Sequence, residues 1–156
     1  MAAFAKALTR KLLKIGGCDV DVMLADPYLE GIVERGKLFD STRVRIVRGA
    51  ANQCHRNAAS LWLRGRSAAI ATGYYLPFDG IWRQHSWSMT PSGIILDTHS
   101  GGRQYFGIRL DGMGALLFAE SHCDYTAVVR WGKKNPERFA PIVAEALKEI
   151  RTATSR

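Results

Sequence analysis

Three short runs, residues 68–75, 81–89 and 93–97, are apolar or alternate apolar with polar side chains. Turn sequences separate them: Pro77-Phe78-Asp79-Gly80 and Thr90-Pro91-Ser92-Gly93. Alternation at a period of two turns one face of a strand toward a core, and turns this short return the chain antiparallel beside itself. The middle of the chain is therefore expected to form an antiparallel meander, which residues 105–110 would extend. Everything else must cover that sheet.

The flanks carry helical spacing. Phe4, Leu8, Leu12 and Ile15 recur at three- and four-residue steps, Lys6, Arg10 and Lys14 fall on other faces, and Gly16-Gly17 is a stop, so residues 2–15 read as an amphipathic helix. Asp26-Pro27 resembles an N-cap with proline at the first helical position, opening a short helix through Arg35 that Gly36 closes. Val44 and Ile46 alternate with Arg43 and Arg45 as in a half-buried strand, which Arg48-Gly49 ends. From Asn52, the spacing of Cys54, Ala58, Leu61 and Trp62 predicts a helix that Gly65 stops. Residues 113–121 are apolar without a decisive period. Asn135-Pro136 opens a final amphipathic helix carrying Phe139, Ile142, Val143, Leu147 and Ile150. This order predicts an α+β fold in one domain, 1–156, with an N-terminal helical segment over residues 1–40, a core over about 42–111 and a C-terminal helical segment over about 113–152.

A length of 156 residues suits one core and argues against a two-domain cofactor enzyme. The longest apolar run, residues 113–119, falls far short of the roughly 18 residues of a membrane span. The net charge of +8 comes from basic residues scattered from Lys6 to Arg156, which implies salt-sensitive, nonspecific attraction to nucleic acid rather than a reading head. Three cysteines, Cys18, Cys54 and Cys123, cannot all pair and form no CxxC, which fits a reducing, cytoplasmic setting. Ile15-Gly16-Gly17-Cys18 has the form of a bacterial lipid-attachment box, but Lys6, Arg10, Lys11 and Lys14 break up the apolar segment such a signal needs. Cys54, His55, His99, His122 and Cys123 match no zinc spacing, and there is no phosphate loop or dinucleotide fingerprint. Neither a cofactor nor a metal is expected.

Cys54 heads a predicted helix, where free backbone N–H groups and the helix dipole favour a thiolate. His85, in the run Trp82-Arg83-Gln84-His85-Ser86-Trp87, is a base held by a strand, whereas His55 is expected to point away from the thiol. Asp97 closes the next strand. Across the Thr90–Gly93 turn, His85 and Asp97 can lie on one sheet face, so that the carboxylate fixes one imidazole nitrogen and leaves the other to the sulfur.

Cys54, Ala58, Gly73-Tyr74, His85-Ser86-Trp87 and Asp97-Thr98 together resemble the core of the transglutaminase-like branch of the papain-like cysteine-enzyme superfamily, over about 50 of 156 residues. That pattern is a cysteine heading a helix, an alanine four residues on, a Gly-Tyr strand end, a His-x-Trp strand and an Asp-x-Thr-like strand. The resemblance implies Cys54 as nucleophile, His85 as general base and acid, and Asp97 as orienter, in acyl transfer through a thioester. It also implies a catalytic helix packed on an antiparallel sheet. The chain departs from the family in having Asp97-Thr98-His99 where Asp-Pro-Thr is common, and in having Arg48 six residues before the cysteine, where papain carries its oxyanion glutamine.

Oxyanion donors are then expected from the Cys54 backbone N–H and the Gln53 side chain. Trp87 and Tyr74 are the aromatic residues that could contact substrate, although core positions suit them better. His55 and His99 are read as surface or cleft-rim residues, and His122-Cys123 as structural. The expected activity is that of a peptidase or amidase acting on a peptide or protein. A transglutaminase or glutamine deamidase would use the same three residues, and the contrasting class is a non-catalytic basic binding module.

Overall fold

A computed structural model describes residues 2–154. Among these residues the chain forms a mixed α+β fold of six helices and one curled mixed sheet. Helix α1 (Ala2–Ile15) buries Leu8 and Leu12, and α2 (Leu29–Arg35) buries Leu29 and Ile32. The Asp26 carboxylate accepts from the Tyr28 backbone N–H, so it forms a turn ahead of α2, and the helix begins later than the Asp-Pro signal predicts.

Strands β4 (Ala69–Leu76), β5 (Ile81–Met89) and β6 (Ile95–Asp97) form the expected antiparallel run. β7 (Gln104–Leu110) does not extend it. It crosses over and pairs antiparallel with β4 on the side away from β5. The first forty residues are not purely helical either, because they supply β1 (Asp19–Asp21), parallel to β5, and β2 (Lys37–Phe39), antiparallel to β7. β3 (Val44–Ile46) pairs parallel with β6, giving the order β2-β7-β4-β5-β6-β3 with β1 on β5.

The β4–β7 pairing contains one unusually close approach. Gly73 of β4 lies opposite Gly107 of β7, and a Cβ on Gly73 would come within 2.2 Å of the Phe106 carbonyl oxygen. Two facing glycines let the backbones approach as side chains would not. The curl shows at the ring contacts. Phe39 of edge strand β2 meets Trp87 of β5 edge-on, with centroids 5.2 Å apart, although the two strands are three steps apart in the sheet order. A flat sheet would separate them by about 14 Å.

Alternation along the strands sorts the core. Ile70 and Tyr74 face the helices, whereas Ala71, Tyr75, Trp87 and Tyr105 fill the inside of the curl. Helix α3 (Cys54–Leu63) buries Ala58, Ala59, Leu61 and Trp62 on the helical side and ends at Gly65. There the Gly65 and Arg66 N–H groups bond the Trp62 and Leu61 carbonyls, the Schellman arrangement. The apolar segment without a clear period is helix α4 (Gly112–His122). It is followed by α5 (Tyr125–Lys134), which Asp124 caps, and by α6 (Pro136–Thr154). No helix among the described residues is long and apolar enough to cross a membrane.

Candidate functional site

β5 has an interrupted outer edge, where β1 covers residues 81–83 and β6 covers residues 88 and 89. The stretch from Gln84 to Trp87 between them has no strand partner on that side among the described residues. The body of α3 lies on the face of Ser86 and Ser88, with the Ser88 hydroxyl donating to the Ala58 carbonyl, whereas His85 projects into the opposite face. Cys54, at the helix tip, meets side chains from both faces across the gap: His85 from inside the curl and His55 from the helical side. An unbroken ladder would separate them.

His85 is buried. Its Nε2 is 2.9 Å from Asp97 Oδ1, which leaves Nδ1 as the nitrogen available to the thiol. Asp97 is fully buried, and its carboxylate is well supplied with donors. The His99 backbone N–H donates to Oδ1 at 2.8 Å and the Tyr105 hydroxyl to Oδ2 at 2.6 Å, while Tyr105 in turn accepts from the Gly102 N–H. Tyr75 lies over the imidazole with ring centroids 4.5 Å apart.

These contacts set the charges. Burial pushes the Cys54 thiol up, but the neighbouring His55 and His85 imidazoles outweigh it, bringing the thiol from 9.0 down to about 5. Burial pushes His85 down, yet its hydrogen bond to Asp97 and the neighbouring Cys54 thiolate raise it from 6.5 to about 9. Burial also raises Asp97, and the bond to His85, its charge and the Tyr105 and His99 donors more than reverse that. Between about pH 5 and 9 the preferred state is a thiolate beside an imidazolium.

The thiol opens into a cleft of about 330 Å³ whose walls include Gln53, Tyr75, Gln84 and His99. One wall is the loop before α3. The Asn57 side chain accepts from the Ala50 N–H at 3.1 Å and donates to the Ala50 carbonyl at 2.8 Å and to the Thr98 hydroxyl at 3.2 Å, strapping the loop to the helix and to the segment after Asp97. Asn52 takes a φ of 55°, in the left-handed region that asparagine tolerates, just before the helix begins.

Of the residues singled out by sequence, Cys54, His85 and Asp97 come together and Gln53 lines the cleft. Trp87 and Tyr74 do not: they are 1% and 0% exposed, in cores on opposite faces of the sheet, and neither lines the cleft. Tyr75, one residue on and therefore facing the other way, is the tyrosine at the site. His55 is neither a rim residue nor turned from the thiol. It is half-buried, its Nδ1 2.7 Å from the Ser86 hydroxyl, which donates to Thr72 Oγ1, and its ring lies against His122. His99 does stand exposed at the rim. Sequence reasoning missed Tyr105, Asn57 and Gln84, and the position of Gln84 beside His85 was the only available hint. No group of three or more His, Cys, Asp or Glu side chains among the described residues is disposed to hold a metal. Comparison with family models, with curated proteins and with solved structures gave no match, so geometry and sequence alone bear on the chemistry of this site.

Proposed function

We propose that the protein is a cysteine-dependent hydrolase of amide bonds, a peptidase or amidase that works through a thioester, with the architecture of the transglutaminase-like branch of the papain-like enzymes. One observation carries the reading: a thiol at a helix tip, drawn down to about 5, opens to a cleft and interacts with an imidazole whose far nitrogen bonds a buried carboxylate. Structural cysteines are not built this way, because a buried thiol that serves only packing is pushed up and stays protonated.

In this mechanism the Cys54 thiolate attacks the carbonyl carbon, forming a C–S bond as the carbonyl π pair moves onto oxygen. The first turn of α3 has free N–H groups, and the Gln53 and Gln84 side chains on the cleft wall are the candidates to complete the oxyanion site. The intermediate collapses with cleavage of the C–N bond, and the proton of His85 Nδ1 goes to the departing amine. Water then loses a proton to Nδ1 and attacks the thioester. The C–S bond breaks, releasing the carboxylic acid and restoring the thiolate–imidazolium pair. Asp97 keeps the ring oriented throughout and stabilises its charge.

The test is mass spectrometry of the intact protein quenched in acid after incubation with an activated acyl ester or amide. Wild type should carry one acyl group on Cys54, and His85→Ala should lose it. Acylation spread without preference over Cys18, Cys54 and Cys123 would refute the assignment.

A further inference from the structure

A second groove, of about 440 Å³, runs on from the thiol cleft and shares Ala50, Gln53, Asn57 and Thr98 with it. Its charged lining is entirely cationic: Arg48 from the loop before α3, Arg56 and Arg64 from the helix and its C-cap, and Arg66 just beyond. Among the described residues none of these guanidinium groups is in an ion pair or a side-chain hydrogen bond. Asp124, at the start of α5, feels the charges of Arg130 and Arg56 and so partly offsets Arg56 without pairing with it. Four guanidinium groups gathered in one groove without an ion pair repel each other and focus a positive field at its mouth.

We propose that this groove is the subsite that recognises substrate, binding an acidic peptide segment that flanks the acyl bond presented to Cys54. The inference rests on the cysteine-hydrolase reading and adds to it the substrate class. From the turn of Cys54 to Arg64 the helix covers about 15 Å, the length of about four or five extended residues, so acidic side chains within that distance of the scissile bond can reach the arginines. The guanidinium fork meets a carboxylate through two parallel hydrogen bonds, a match that lysine lacks. The lining favours peptide over nucleic acid. It contains no aromatic residue on which a base could stack, and Leu61 is its one large apolar side chain.

The experiment uses chloroacetamide-capped peptides of equal length whose flanking residues are Glu in one and Gln in the other, with iodoacetamide as a probe that reaches Cys54 without the groove. Alkylation of Cys54 is followed at pH 6, where its thiolate should outreact an ordinary cysteine, and at low salt. The Glu peptide should react about tenfold to a hundredfold faster than the Gln peptide at sub-saturating concentration. The ratio should collapse toward one in the Arg64→Gln/Arg66→Gln variant, each protein being its own reference, and should shrink as salt rises. Equal rates for the two peptides, with Cys54 still labelled by iodoacetamide, would overturn the acidic subsite and leave the hydrolase reading standing. Failure of iodoacetamide to prefer Cys54 would overturn both. Tight RNA oligonucleotide binding lost in the double variant, without any Glu preference, would assign the groove to nucleic acid instead.

Discussion

The most exacting consequence of the site is the pH dependence of Cys54 alkylation. With a pKa of about 5, Cys54 is ~90% thiolate at pH 6, whereas an unperturbed thiol near 8.5 is ~0.3% thiolate. The abundance of thiolate therefore favours Cys54 about 300-fold. A more acidic thiol makes a weaker nucleophile, by ~0.4–0.5 log unit per pKa unit, which returns about 30-fold of that advantage. Cys54 should thus react with iodoacetamide about tenfold faster at pH 6 than an ordinary cysteine of equal access.

The midpoint of the rate profile is the sharper reading, because it does not depend on intrinsic nucleophilicity. It should lie near 5 in the wild type. In His85→Ala, burial still pushes the thiol up and His55 alone opposes it, so the midpoint should rise by at least about one unit, whereas the rate at pH 6 changes less because a less acidic thiol is the stronger nucleophile. His55→Ala should act in the same direction. The double variant should carry the midpoint back near the free-thiol value, since burial is then opposed only by the helix terminus. Peptide mapping by mass spectrometry over a pH series measures all four profiles. A wild-type midpoint near 8.5, or one indifferent to both histidines, would refute the reasoning.

Turnover should follow a bell. Activity should be lost as pH falls through about 5, where the thiolate takes a proton, and again as pH rises through about 9, where His85 gives up the proton the leaving amine needs; initial rates of an activated amide across pH would show it. Asp97→Asn removes the charge that sustains the imidazolium, so the alkaline limb should move well below 9, read in the same assay. Tyr105→Phe strips one donor from a buried carboxylate and an acceptor from the Gly102 N–H; the expected cost is about 1.5–3 kcal/mol of stability, read by urea denaturation. Gly73→Ala drives a Cβ against the Phe106 carbonyl, where no flexible side chain can yield. It should cost about 3 kcal/mol or more, measured by thermal unfolding, and a wild-type melting temperature would contradict the close approach of β4 and β7.

What can be read from sequence is whatever depends on neighbours in the chain. The helix that begins at Cys54 and the turn that brings Asp97 beside β5 are local patterns, and they suffice to suggest His85 and Asp97 as partners twelve residues apart. The departures all depend on contacts that sequence does not rank. β7 passes to the far side of β4, where two glycines face each other, a pairing invisible until the strands are aligned. Whether Tyr74 or Tyr75 reaches the site depends on strand phase, and a one-residue shift exchanges core for cleft. Gly73 is registered opposite His85, and the tyrosine two residues on from that glycine shares its face. A residue next to a helical cysteine usually diverges from it, which is why sequence alone puts His55 at the rim. Here the gap in the β5 edge lets the helix tip sit between two faces, so adjacent residues approach one strand from both sides, with Ser86 holding the second imidazole in place. The basic composition likewise looks diffuse along the chain, yet Arg48, Arg56, Arg64 and Arg66 lie within nineteen residues that wrap one helix. Charge scattered in sequence becomes a directed field once a helix and its two flanks line one groove, and that groove leads to the thiol.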